Sequence, residues 1–372
     1  MIWSIPALQD TTIYESDPYR NSGLDQMLEL HKQGDVTTGD LTESRILIKF
    51  DLTNLSSILS ENSISINSIS ASLKLYTAQE SELPKSYSIE ARPLSTNWEN
   101  GSGYATVPSG LIASTAVSDG ATWMTTAGLS TTTWSASLAA NSQITFNDQA
   151  YPGGGTWITG SVVSQSFAYK TTDSVDIDVT NIVKNWYNQV YTNNGVVLSF
   201  NNAAISSSNY PETLIQFYSS DTHTVFEPQL YISWTGSITY NTGSMSLITY
   251  EDSPILYTRA FRGEYLKDKK VRILLGSRPR YPRPAFTQTS EFAVQKALPQ
   301  NSYYQIKDAH NNQVIIPYSQ FTKINTNANG AYFDFYTTML YPERYYKFEI
   351  KSEFDDVTEY FNASDFTFKI VI

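Results

Sequence analysis

The chain contains no cysteine among its 372 residues. That removes a disulfide framework, a thiolate zinc site and a cysteine nucleophile. Histidine is almost as scarce: His31, His223 and His310 stand in three separate polar contexts, with no HExxH, HxxxH or GxSxG arrangement around them. Charged residues make up only 16%, and the formal net charge of −11 argues against general nucleic-acid binding, which needs a basic face. No apolar run approaches the length of a membrane span, so membrane insertion is not expected. The opening MIWSIPALQD has neither a basic n-region nor a long apolar h-region, and a secretory signal is not expected either.

What the chain does have is aromatic and hydroxyl-bearing residues. Tyr reaches 26 and Trp 7, and apolar residues make up 41%, enough for full cores in two or three domains. Low charge with abundant Tyr, Thr and Ser favours sheet over helix. The most informative stretch runs from Thr96 to Trp157, where Trp98, Trp123, Trp134 and Trp157 sit among Gly, Ser and Thr with almost no charge. It has no helical period and too many large aromatics for a disordered linker. It is expected to form long ordered loops pinned to one end of a β-sandwich by buried indole rings.

Period-two alternation predicts strands at Thr11–Tyr14, Met27–Leu30, Arg45–Leu52, Ile69–Tyr76, Val175–Val179, Val196–Phe200, Leu214–Tyr218 and Gln229–Trp234. Arg45, Leu47 and Lys49 fall on the face opposite Ile46, Ile48 and Phe50, and Tyr87–Ala91 reads as the partner of Ile69–Tyr76. One helix is predicted, from about Thr180 to about Val190, with Ile182, Val183, Trp186, Tyr187 and Val190 as its apolar stripe. Asp178 or Thr180 would cap it, and Asn193-Asn194-Gly195 would stop it.

Small polar residues at 237–245 read as a linker, giving a first domain of 1–236 and a second of 246–372. Charge changes across it: residues 1–240 hold 9 basic and 22 acidic residues, a balance of −13, whereas residues 241–372 hold 16 and 14, a balance of +2. Strands are predicted at Ile255–Tyr257, Val271–Leu275, Val314–Pro317, Ala331–Tyr336, Tyr345–Ile350 and Phe366–Ile372, with the turn Asn327-Ala328-Asn329-Gly330, which suits one immunoglobulin-like sandwich.

Several segments of the first domain, in chain order, resemble the DNRLRE-type β-sandwich, a relative of carbohydrate-binding modules. They are Asp10-Thr11-Thr12-Ile13, the turn Asn21-Ser22-Gly23, the strand Ser44 to Leu52 (SRILIKFDL) and the strand Ile69 to Tyr76 (ISASLKLY). Trp98-Glu99-Asn100-Gly101-Ser102-Gly103 and Asp119-Gly120-Ala121-Thr122-Trp123 are similar to that family's W-x-E-G-x-G and D-G-A-T-W loops, with Asn100 standing where the pattern has Glu. Asp178-Val179-Thr180 with Val183 and Trp186 fits its helix entry, and Phe217 to Trp234 resembles its closing hairpin. The resemblance covers about residues 5–235 and implies a jelly-roll-like β-sandwich with one short helix. Leu298 to Tyr304 and Tyr341 to Tyr346 resemble C-terminal regions of virion proteins from contractile-tailed marine phages.

These readings set the functional expectations. Sugar stacking by flat aromatic faces nominates Trp98, Tyr104, Trp123, Trp134, Tyr151 and Trp157, against the alternative that the rings anchor loops. A structural calcium ion would draw on Asp10, Asp176 and Asp178, against capping and turn roles. The basic stretch Arg259–Arg283, above all Arg259, Arg262, Lys267, Lys269, Lys270 and Arg272, reads either as a docking surface for an acidic partner subunit or as a solvated face. Glu99 is the one carboxylate worth weighing for glycoside hydrolysis. The resulting expectation is a non-enzymatic structural protein of a tailed-phage virion, assembled in the host cytoplasm. Its first domain would be an outward decoration or adhesion module, and its second would attach it to other virion proteins. It would be oligomeric within the particle, touch a host surface glycan, bind no nucleic acid and need no cofactor beyond that ion. A cell-surface carbohydrate-binding protein and a glycan-cleaving enzyme are the alternatives.

Overall fold

The computed structural model describes residues 1–34, 41–81, 83–104, 119–128, 132–134, 153–168, 174–201, 212–236, 238–281, 294–362 and 366–372. It is an all-β protein of antiparallel sheets, and alternation in sequence becomes alternation in burial. In Ile69–Leu75, for example, Ile69, Ala71, Leu73 and Leu75 are buried while Ser70 is exposed. Two compact units result: Ile5–Ile232, and Ser233–Ile372 together with Met1–Ser4. The boundary therefore precedes the polar 237–245 segment. Part of that segment is built into the second unit, where the Thr326 N–H donates to Thr239 O and the Asn241 N–H to Thr326 O.

The first unit is built from β1 (Ile2–Tyr14) from Ile5 onward, β2 (Met27–Gly34), β3 (Leu41–Phe50), α1 (Leu55–Glu61), β4 (Ile69–Leu75), β5 (Thr77–Ser81), β6 (Ser86–Pro93), β7 (Thr125–Ala127), β8 (Thr132–Thr133), β9 (Val163–Ala168), β10 (Val175–Asp178), α2 (Thr180–Tyr187), β11 (Val196–Phe200), β12 (Glu212–Tyr218) and β13 (Gln229–Trp234) as far as Ile232. The main path of hydrogen-bonded neighbours is β10-β4-β13-β1-β3-β11-β6-β9, with β12 paired to β2 and β5, and β2 paired to β3. Two pairings differ from the sequence reading. Tyr87–Ala91 lies in β6, which pairs β11 and β9 rather than β4, because the chain leaves β4 as β5 and pairs with β12 before turning. The closing hairpin is likewise not one. Strands β12 and β13 pair with different partners, since the Ser219-Ser220 turn is drawn off by bonds to Gln26 O, Asp25 O and Asp10.

The helix also differs from expectation. It ends at Tyr187, and Tyr187 and Val190 are exposed, 38% and 67%; Ile182, Val183 and Trp186 are the buried face. Asn188 closes it through its N–H to Lys184 O, and Gln189 follows at φ +57°, so the chain has turned before Asn193 is reached. Asp178 acts from just outside, its Oδ1 accepting from the Thr180 N–H at 2.9 Å. The second helix, α1, was not expected. Only Leu55 and Leu59 of its LSSILSE sequence are buried, too few apolar positions to display a period.

Strand β3 is buried on both faces. Ile46, Ile48 and Phe50 point into one core, yet Arg45 and Leu47, on the other side, are buried as well. A strand in this position needs a second covering layer, and the tryptophan-bearing loops supply it.

The second unit holds β14 (Pro254–Arg259), β15 (Glu264–Leu266), β16 (Lys270–Pro279), β17 (Ser302–Asp308), β18 (Val314–Ile316), β19 (Asn325–Asn327), β20 (Gly330–Tyr336), β21 (Tyr345–Phe354), β22 (Val357–Phe361) and β23 (Thr367–Val371). One sheet runs β14-β16-β20-β19 and the other β15-β23-β21-β17-β18, with β22 on β21. Aromatic rings fill the space between the sheets. Tyr304 stacks on Phe333 at 4.2 Å, Phe348 stacks on Phe368 at 4.6 Å, and Phe333 and Phe335 meet Phe348 edge-on at 5.2 and 5.3 Å.

Candidate functional site

The four tryptophans of the central loops converge on the outer face of β3. Trp98, Trp123, Trp134 and Trp157 are 2%, 4%, 1% and 6% exposed and pack with Ile13, Leu47, Leu94, Ala121 and Val197. The Trp98 indole N–H donates to Asn194 O and that of Trp134 to Thr122 O, each at 2.9 Å. Of the two readings, sugar stacking and loop anchorage, burial sets stacking aside for these four: a ring whose faces are covered by protein has none to offer a pyranose. Their payload is loop anchorage, each indole burying on the order of 200 Å². Tyr104, 37% exposed, is the one candidate of that set on the surface of the described residues. Tyr151 lies outside the described residues.

Charges lie beneath the rings. Arg45 and Glu43, both buried, form an ion pair, with the Arg45 Nε donating to Glu43 Oε1 at 2.7 Å and Nη1 to Gly154 O at 2.7 Å. The Arg45 guanidinium sits 4.8 Å from the Trp123 ring centre and 5.3 Å from that of Trp157, whose other neighbour is Arg92 at 4.9 Å. Arg92 pairs in turn with Glu90 and donates to Ser199 Oγ. Glu15 accepts from the Glu43 N–H at 3.1 Å; burial first, and the Glu43 carboxylate second, push its pKa up to about 7. Sequence reading missed this cluster. Its signal was the alternation of Glu43 and Arg45 with Leu47 on one face, charges in the same row as a buried leucine.

Three motifs of the family resemblance meet at Asn21. Its side-chain amide donates to Asn100 O and Ala121 O, both at 2.8 Å, and its Oδ1 accepts from the N–H groups of Gly23 and Gly103. A Cβ on Gly23 would lie 2.1 Å from Asn100 O, which is why a glycine is needed there. Asn100 returns a bond from its amide to Gly23 O at 2.6 Å, a donation that a glutamate could not make. These residues build a joint between loops, satisfying buried backbone groups.

The candidate metal ligands are not brought together. Both oxygens of Asp10 accept from Ser220, from its N–H at 2.7 Å and its hydroxyl at 3.0 Å, and burial raises its pKa to about 7. Asp176 faces Lys74 at 3.6 Å, and Asp178 serves the start of α2. Each carboxylate is thus spent on a local partner, and among the described residues no three His, Asp or Glu side chains are grouped to hold a metal. The histidines are equally scattered: His223 and His310 are exposed, while His31 stacks on Tyr14 at 5.7 Å with Nε2 buried and unpartnered. Glu99 is exposed, and its backbone accepts from Ala121 and donates to Thr126.

In the second unit the six basic docking candidates are all exposed, but they fall into two groups. Arg272 grips Asp334 through Nε at 2.7 Å and Nη2 at 2.9 Å and lies 4.6 Å over Tyr332; Lys270 stands 3.8 Å from the same carboxylate; Arg259 donates to Asn329 O at 2.6 Å. Arg262, between β14 and β15, and Lys267 and Lys269, between β15 and β16, form no ion pair among the described residues. No helix among the described residues is long and apolar enough to cross a membrane. No protein-family model matches the chain, and neither a curated protein nor a solved structure matches it.

Proposed function

We propose that this chain is a non-enzymatic structural protein of a tailed-phage virion, with the first unit as an outward decoration module and the second attaching it to neighbouring virion proteins. The observation that carries the reading is the division of roles between the two units. In the first, tryptophans, a buried ion pair and the Asn21 joint anchor the described parts of the loops. In the second, Arg262, Lys267 and Lys269 stand exposed on adjoining turns within a chain whose overall charge is −11. Loops anchored on a sandwich suit a particle surface, and exposed cations suit an acidic partner. The Asn21 joint brings together segments that carry the DNRLRE-type resemblance, with Asn100 as the position that departs from it.

The test is attachment. Full-length protein carrying Arg262→Glu, Lys267→Glu and Lys269→Glu is mixed with particles lacking the protein, and the bound fraction is measured against salt. Binding weaker than wild type, with the gap widest at low salt where exposed charges are least screened, is the expected result. Equal binding at every salt concentration would remove the second unit's turns as the attachment surface.

A further inference from the structure

The outer face of the six-stranded sheet in the second unit carries a cluster that neither the tryptophan layer nor the basic turns account for. Along β21 the even-numbered residues from Tyr346 to Phe354 are buried and the odd-numbered ones face out. Opposite Lys351 stand Tyr303 on β17 and Tyr360 on β22, its direct cross-strand neighbours. The Lys351 ammonium lies 5.7 Å from the Tyr303 ring centre and 2.7 Å from Glu353 Oε1. From beyond β18, Tyr318 reaches over the sheet. Its hydroxyl donates to Glu349 Oε2 at 3.1 Å, and its ring centre is 6.1 Å from that of Tyr360, inclined at 53°. Lys307 donates to the same Glu349 oxygen at 2.7 Å.

Three phenol rings thus surround two ammonium–carboxylate pairs on a rigid sheet, and Tyr360 is 55% exposed. The Lys307 and Lys351 charges are each paired with a glutamate at hydrogen-bond distance, while Lys347, the cross-strand neighbour of Lys307 on the same face, is held by the Asn312 side-chain oxygen. With the two ammonium groups beside the tyrosines paired, the face is poorly matched to a phosphate backbone, which needs several unpaired cations. It is suited to a ligand that is uncharged, hydroxyl-rich and apolar on its ring faces, because carboxylate oxygens accept from hydroxyls, ammonium groups donate to them, and phenol faces take the C–H side. From this geometry we infer that the Tyr303–Tyr318–Tyr360 face is a binding platform for a neutral glycan chain. The inference is independent of the virion reading.

The experiment uses the full chain in native affinity electrophoresis through gels containing dextran, laminarin, xylan or hydroxyethylcellulose, with a single-stranded oligonucleotide in a parallel shift assay. Retardation by at least one neutral polysaccharide is expected, weakened about tenfold by Tyr360→Ala and by Tyr303→Ala and not by Tyr104→Ala in the first unit. Tyr360 is largely exposed, so its replacement is expected to leave the melting temperature unchanged, which separates loss of binding from loss of fold. Migration unaffected by all four polysaccharides would overturn the inference. So would retardation that survives both tyrosine substitutions, or binding of the oligonucleotide alone.

Discussion

Arg45 and Glu43 lie two residues apart on the same face of β3 and meet as a buried ion pair roofed by Trp123 and Trp157. Removing one partner leaves the other charge without compensation inside the protein. Glu43→Ala is expected to destabilise the first unit by about 3–5 kcal/mol, whereas Glu43→Leu with Arg45→Met is expected to cost far less than the sum of the single changes. Urea unfolding followed by tryptophan fluorescence reports mainly on this unit, since Trp98, Trp123, Trp134, Trp157 and Trp186 lie in it and only Trp3 and Trp234 in the other. Strict additivity of the single changes would show that the pair is not coupled.

Stability should depend on pH through Asp10. Burial lifts its pKa to about 7 from an ordinary 3.8, so the folded protein holds a proton that the unfolded chain releases. The stabilisation is complete below about pH 4 and is lost as pH rises through 7. Glu15 acts in the same sense, while His31, whose pKa burial lowers, acts in the opposite one. Comparison of wild type with Asp10→Asn isolates the aspartate. The variant is expected to lose less stability between pH 5 and 8, by up to about 2–3 kcal/mol. Parallel profiles would show that Asp10 is ionised in the fold.

Asn21→Asp tests the joint between loops. The substitution keeps the acceptor that serves Gly23 and Gly103 but turns the two donations to Asn100 O and Ala121 O into contacts between oxygens. A loss of about 2–4 kcal/mol is expected at neutral pH, with partial recovery in acid as the carboxyl protonates. Unchanged unfolding would mean that the three loops are held elsewhere.

Trp186 anchors α2, and Trp186→Ala is expected to cost about 3–5 kcal/mol. Its ring is 6% exposed and its helix is bonded to β4 through Thr180 and Ala71. Thermal melting checks this, and a normal transition would place the ring outside the core.

Strands such as Val196–Phe200 and Gln229–Trp234, and α2, were legible because each displays its period in a few adjacent residues, whereas β5, β9, β17 and β22 were not read from the sequence. Pairing was less legible. Which strand β6 or β12 joins is decided by contacts far away in sequence, such as Ser220 on Asp10, that no local pattern carries. The tryptophans show the same limit in the site. Composition marks Trp98, Trp123, Trp134 and Trp157 as ordered, but whether an indole faces solvent or Leu47 depends on which face of β3 the loops cover. The tyrosine platform was hidden for the complementary reason. Tyr303, Tyr318 and Tyr360 are spread over more than fifty residues and come together only when β17, β21 and β22 pair.

The most direct test of the account is the protein content of intact particles. Tailed-phage virions whose genome encodes this chain, purified by density gradient and digested for quantitative mass spectrometry, are expected to yield its peptides in a fixed ratio to the major capsid protein, and to keep that ratio after a high-salt wash and re-banding. Peptides found only in the unassembled lysate fraction, and absent from banded particles, would contradict it.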